Sequence, residues 1–269
     1  MRILLIVLLH LSTLACLAQR ELSVAHEQFL ALNEETFLVL DGKEGLRLID
    51  SEGIIRYRYS EGLMADITSV DLSTSMRPML FFGDIPAFQL LDNTLSPQTS
   101  PIELQDIDMP DVSLACAAVN NGYWVYDAVA FELRRLDDQL NVQVQSGGLN
   151  VVLGYAVAPN KLCARNNRLY LNDPTFGIHV FDFYGGYLGL LLAQSGITHF
   201  DVRDNRIVYA TEEGEIHQSA IFQKADMLGL ELGKKPVYKT KKRVSSVNIL
   251  GESIHVGDGE HIFSFEIER

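Results

Sequence analysis

The chain reads as an all-β protein, a six-bladed β-propeller closed by an N-terminal strand, and three observations lead there. A pair of strand-like runs recurs six times, and the first run of each pair ends at an acidic turn. The acidic ends repeat every ~40–45 residues, the period of propeller blades rather than of helical arrays. Between the runs lie Asp50–Gly53, Asn120–Gly122, Ser146–Gly148, Gly185–Gly186, Glu212–Gly214 and Asp258–Gly259. These are the Gly, Asn and Asp positions that tight hairpins require. Helical periodicity is poor, and the one plausible short helix falls at Gln223–Leu228, inside an inter-strand connection.

The elements follow in order. Met1–Arg2 is a short basic start, Ile3–Leu9 is aliphatic, and Leu14–Ala18 ends in small residues. That is the form of a secretory signal peptide over residues 1–18, with the mature chain, a single propeller domain over 19–269, starting near Gln19. The competing reading makes Cys16 the lipid-bearing residue of a lipoprotein, but Thr13–Ala15 is out of register with the usual pattern. Glu21–Ala25 precedes the first repeat and has no other role, while the last repeat ends at Arg269 with no room for an outer strand. Glu21–Ala25 is therefore expected to complete the last blade and close the ring, which removes an exposed sheet edge.

Each blade is built around a pair of middle strands. The first members are Thr36–Asp41, Met79–Asp84, Tyr123–Asp127, Leu169–Asp173, Ile207–Glu212 and Ile254–Asp258. The second members are Leu46–Asp50, Phe88–Asp92, Phe131–Leu136, Ile178–Asp182, Glu215–Ser219 and Ile262–Phe265. Innermost strands are expected just before them, at Gln28–Leu32, Ile67–Asp71, Val112–Ala115, Lys161–Cys163, Ile197–Val202 and Val244–Asn248. Three of these share one cadence, apolar-polar-polar-apolar followed by Asp or Asn: Ile67–Asp71, Ile197–Asp201 and Val244–Asn248.

Composition narrows the function. The chain carries 22 Lys and Arg against 35 Asp and Glu, a formal charge of −13, which disfavours general nucleic-acid binding. Beyond the leader, no apolar stretch approaches the ~18 residues a spanning helix needs. The mature chain keeps Cys116 and Cys163, read as two small buried thiols rather than a bridge. Asp41, Asp84, Asp127 and Asp173 could line a site as a ring of carboxylates, but short acidic side chains at hairpins more often cap their own turns. No histidine stands in metal-ligand spacing, and neither a nucleophile elbow nor a phosphate loop occurs, so no metal, cofactor or catalytic residue is assigned. Trp124 reads as core.

One segment stands out by charge. Lys234, Lys235, Lys239, Lys241, Lys242 and Arg243 place six basic residues in the longest connection, between the fifth and sixth repeats. It is either a solvated loop or a docking patch for an acidic partner or anionic headgroups. Met76 and Phe88, with Ile85 between them, read as apolar residues on loops, a candidate binding surface.

Ile67–Asp71, Met79–Asp84 and Phe88–Leu95, with Gly122–Asp127 and Arg134–Asp137, resemble small secreted propeller proteins of Bacteroidota, a family that includes the plug subunit of the type 9 secretion translocon. The resemblance implies a periplasmic, non-catalytic subunit without a cofactor. It would be a monomer when free, peripheral to the outer membrane, closing the periplasmic opening of a large outer-membrane β-barrel. Gly83, where a basic residue is common, and Ile85–Pro86 depart from the family pattern. The alternative from another class is an exported carbohydrate-active or other hydrolase or lyase on the same scaffold, since fold alone does not set function.

Overall fold

Thr36–Asp41, Met79–Phe82, Tyr123–Asp127 and Arg168–Asp173 are strands in which nearly every residue is buried. A strand covered on both faces loses the polar alternation of a half-exposed one and reads as a continuous apolar run. Sheets stacked face to face around a ring create that condition. The computed structural model describes residues 20–59, 65–72, 77–118, 121–224, 227–231 and 236–266. The leader 1–18 with Cys16, and the residues Met76, Lys234 and Lys235, lie outside the described residues.

Six antiparallel sheets form the blades. Blade 1 is Gln28–Asn33, Thr36–Asp41, Gly45–Asp50 and Ile55–Arg58 from inside to outside. Blade 2 is Ser69–Asp71, Met79–Phe82, Ala87–Leu90 and Ile102–Glu103; blade 3 is Val112–Ala117, Tyr123–Asp127, Glu132–Leu136 and Val142–Gly148. Blade 4 is Lys161–Arg165, Arg168–Asp173, Gly177–Asp182 and Tyr187–Leu192. Blade 5 runs Ile197–Arg203, Arg206–Thr211 and Glu215–Lys224, and its outer edge is shared between Met227–Glu231 and Tyr238–Lys239. Blade 6 begins with Ser246–Leu250, Ser253–Gly257 and His261–Glu266.

The fourth strand of blade 6 is Arg20–Ser23, paired Arg20↔Ser264 through Ser23↔His261. The expected closing strand is therefore present. The ladder is continued by Val24 and His26, whose backbone N–H groups donate to the carbonyls of Glu260 and Gly259, both at 2.9 Å.

The core is divided into six clusters, one in each seam between neighbouring blades. Met79, Phe81 and Phe88 of blade 2 meet Val112, Tyr123 and Val125 of blade 3. Leu80 and Phe82 point the other way, to Leu38 and Leu46 of blade 1. At the closing seam Phe29, Phe37 and Ile49 pack on Ile262, with Leu22 of the N-terminal strand against them. Fully burying one such side chain is worth about 1.5–3 kcal/mol, so each seam is held chiefly by the hydrophobic effect.

Two local expectations are corrected. Gln223–Leu228 is not a helix: Glu215–Lys224 and Met227–Glu231 pair antiparallel, and residues 225–226 lie outside the described residues. The Phe222 ring lies over Gly229, which has no side chain to oppose it. A short helix occurs instead at Leu149–Leu153, begun after Gly148 and ended by Gly154 at φ 82°. Phe88 is not a loop residue either. It lies in the third strand of blade 2, is fully buried, and its ring is 4.4 Å from that of Tyr123.

Candidate binding face and central channel

Strand direction alternates within a blade, so the turns joining second to third strands emerge on the same face as the connections between blades. The first-to-second and third-to-fourth turns emerge on the opposite face. The acidic turns are distributed over both, and their geometry is structural. On the connection face, Asp41 Oδ1 accepts the backbone N–H of Lys43 at 2.7 Å and of Glu44 at 3.0 Å. Asp127 does the same for Val129 and Ala130, Asp173 for Thr175, and Asp258 for Glu260 and His261. These carboxylates close turns.

A second pattern lies on the opposite face. Asp50, Asp92, Asp137 and Asp182 each accept the N–H groups two and four residues ahead. The third residue ahead is left-handed in every case: Gly53, Leu95, Leu140 and Gly185. Two glycines and two leucines share one backbone position, which is why composition alone does not reveal the repeat.

The basic segment lies on the connection face. Of its described members, Lys239 is 2.7 Å from Glu215, and Lys242 is 2.8 Å from Asp258 and 3.1 Å from Glu260. Burial raises the Asp258 pKa, but the Lys242 contact and the two backbone N–H groups outweigh it and bring the carboxyl down to about 2. Lys241 and Arg243 are exposed, and neither forms an ion pair among the described residues. Together these residues edge a cleft of about 630 Å³ with Thr198, Thr211, Glu212 and Glu213.

The same face carries an apolar sector over blades 2 to 4. Ile85, Val129 and Phe176 stand on second-to-third turns and are exposed, Val129 to 70 %. Val151, 82 % exposed, and Val152 stand on the short helix between blades 3 and 4. Behind them Tyr155 stacks on Phe176 with ring centroids 3.7 Å apart. The sequence alone points to Ile85 and not to the valines, which have no distinctive spacing.

At the ring centre the innermost strands enclose a channel of about 270 Å³. The shared cadence acquires its meaning here. Asp71 Oδ2 accepts the N–H of Ala117 in blade 3, Asp201 Oδ2 that of Ile249 in blade 6, and Asn248 Oδ1 that of Ala31 in blade 1. Each last residue of the cadence ties its blade to the next. Arg165 lies 3.7 Å from Asp71. Cys116 and Cys163 are free and buried, and burial first of all pushes both thiols up, so neither is an activated nucleophile. His179 is likewise enclosed, between the hydroxyls of Tyr155 at 2.9 Å and Tyr187 at 3.0 Å. Among the described residues, no group of three or more His, Cys, Asp and Glu is arranged to hold a metal ion. No helix among them is long and apolar enough to cross a membrane.

No protein-family model and no curated protein matches the chain. Solved structures do. The chain is similar to the WD40 β-propeller domain of Doa1, at 13% identity and TM-score 0.63, covering 94% of this chain and 96% of that one. It is equally similar in shape to a streptogramin B lyase, at 9% identity and TM-score 0.63, covering 94% and 97%. Virginiamycin B lyase from Staphylococcus aureus follows at 12% identity and TM-score 0.59, covering 93% and 99%. At such identities the likeness is one of fold, shared by a WD40 domain and by lyases.

Proposed function

We propose that the chain is an exported, non-catalytic binding subunit whose connection face seats on the periplasmic mouth of a large outer-membrane β-barrel, as a plug does in the type 9 secretion translocon. The observation that carries this reading is the apolar sector of Ile85, Val129, Val151, Val152 and Phe176, with the basic residues Lys239, Lys241, Lys242 and Arg243 on the same face. Clustered exposed apolar side chains mark interaction surfaces on soluble proteins. The resemblance of Ile67–Asp71 and Phe88–Leu95 to secreted Bacteroidota propellers supports the barrel as the partner. The mechanism is steric. A rigid disc covers an opening, and competing contacts on the same face release it.

Co-purification of the tagged protein from its native membranes tests the reading, and the barrel is the expected companion. Val129→Asp with Val151→Asp should abolish capture, because two charges would be desolvated in the interface. Reversing Lys241 and Arg243 should weaken capture most at low salt, since exposed ion pairs are screened. Capture unaffected by either pair of changes, or turnover of a polysaccharide or ester by the purified chain, would sink the proposal.

A further inference from the structure

We propose that the channel mouth between blades 4, 5 and 6 is a site for a small oxyanion, held by Lys161, His199 and Arg243. The channel has the volume of roughly nine liquid water molecules, enough for a small metabolite. It adjoins the cleft edged by the basic segment, and Thr198 lines both spaces. A ligand at this junction would reach donors from the innermost strands and from the connection between blades 5 and 6.

Three groups around this junction have unused capacity, Lys161 and His199 on the channel and Arg243 on the cleft. Lys161 donates one N–H to the Phe200 carbonyl at 2.6 Å, and its ammonium has two more. Arg243 is exposed and forms no ion pair among the described residues. His199 lines the channel, and its Nδ1 is buried without a hydrogen-bond partner. A neutral imidazole in that position does best with its proton on Nε2, which leaves the ring one N–H donor. Burial first, then the charges of Lys161 and Arg243, lowers the His199 pKa to about 4.

The carboxylates nearby do not cancel this arrangement. Asp71 is occupied by the Ala117 N–H and Arg165, and Asp201 by the N–H groups of Val202 and Ile249. Glu27 lies at the blade 1 side of the channel, and Glu212 and Glu213 edge the cleft. Their field opposes extended polyanions and leaves the site to a compact ligand carrying a carboxylate or a phosphate.

Calorimetric titration of the intact protein with citrate and, separately, with pyrophosphate tests the site and distinguishes the two sources of oxyanion. Saturable binding of either at neutral pH and low salt is expected. Arg243→Gln and His199→Phe should each weaken it by roughly tenfold, the scale of one charge-assisted hydrogen bond. Lys43→Gln, an equal charge change on an exposed turn of blade 1, should leave affinity unchanged. Bound anion should also raise the His199 pKa above its value of about 4, read by NMR of the ring. If Lys161→Met fails to fold through loss of the Phe200 contact, the Arg243 and His199 variants still decide. No saturable uptake of either anion, or an equal loss in Lys43→Gln, would overturn the proposal.

Discussion

Asn248 is buried in the innermost strand of blade 6, yet its side-chain oxygen serves blade 1, accepting the Ala31 N–H at 2.7 Å. Asn248→Ala would leave a buried amide without an acceptor, which costs about 1–3 kcal/mol. A lowered melting temperature is expected, and an unchanged one would show that water or relaxation replaces the tie. The buried histidines give a second test at this scale. Burial first, then the Arg203 charge, holds His255 near a pKa of about 4, against the ordinary 6.5. The unfolded chain takes up a proton in that interval and the folded chain does not. Stability contributed by neutral His255 is thus complete above pH 6.5, falls between pH 6.5 and 4, and is level below. The loss is about 3 kcal/mol for a shift of this size. His255→Gln, which keeps a hydrogen-bonding group for Ser264, should flatten denaturation midpoints over that window. A variant whose midpoints fall as steeply as the parent's would assign the acid sensitivity to other groups.

Among elements, the clearest prediction concerns the left-handed leucines. Leu95 has φ 61° yet is buried in the seam between blades 1 and 2. The backbone conformation costs roughly 1–2 kcal/mol relative to glycine, whereas removing a buried leucine side chain costs roughly 2–5. Packing wins, so Leu95→Gly should destabilise despite relieving strain; a raised melting temperature would reverse that ranking. The hairpins are legible in the sequence because two signals agree: apolar runs of strand length, and Asp, Asn or Gly where the turn demands them. Asn166 and Asn167, both at positive φ between the first two strands of blade 4, belong to the same chemistry. Where only one signal is present the reading fails. The run Phe88–Asp92 reads correctly as a strand, but Phe88 follows Ile85–Pro86 so closely that it also looks like loop, and its burial depends on Tyr123 of the next blade, which no local pattern encodes. Leu149–Leu153 hides behind the glycines before it. The basic segment is visible as charge, but the valines become a sector only when three blades bring them to one face.

For the whole molecule, the ring must be closed for the seam between blades 6 and 1 to be fully covered. Deleting residues 20–25 should unpair His261–Glu266 along one edge and strip Leu22 and Val24 from the closing seam. A drop in melting temperature of several degrees is expected, as for the loss of a few kcal/mol from a domain of this size. Equal melting of the truncated and intact chains would show that three strands suffice for blade 6.

The clasp also sets an order of events. Ser23 and His261 are partners, so a chain emerging N-terminus first, from a ribosome or through a membrane pore, exposes one strand of its last four-stranded sheet from the outset. The strand it pairs with follows roughly 240 residues later, and bringing such distant ends together costs on the order of 5 kcal/mol in chain entropy. Blades 1 to 5 can pair locally as they appear, each from contiguous chain. The final seam has to wait. Until delivery is complete, Arg20–Ser23 is an unpaired strand beside a growing arc with two open sides, the state most prone to pairing with another copy. Arg20 and Glu21, charged and exposed on that strand, are the residues placed to discourage it.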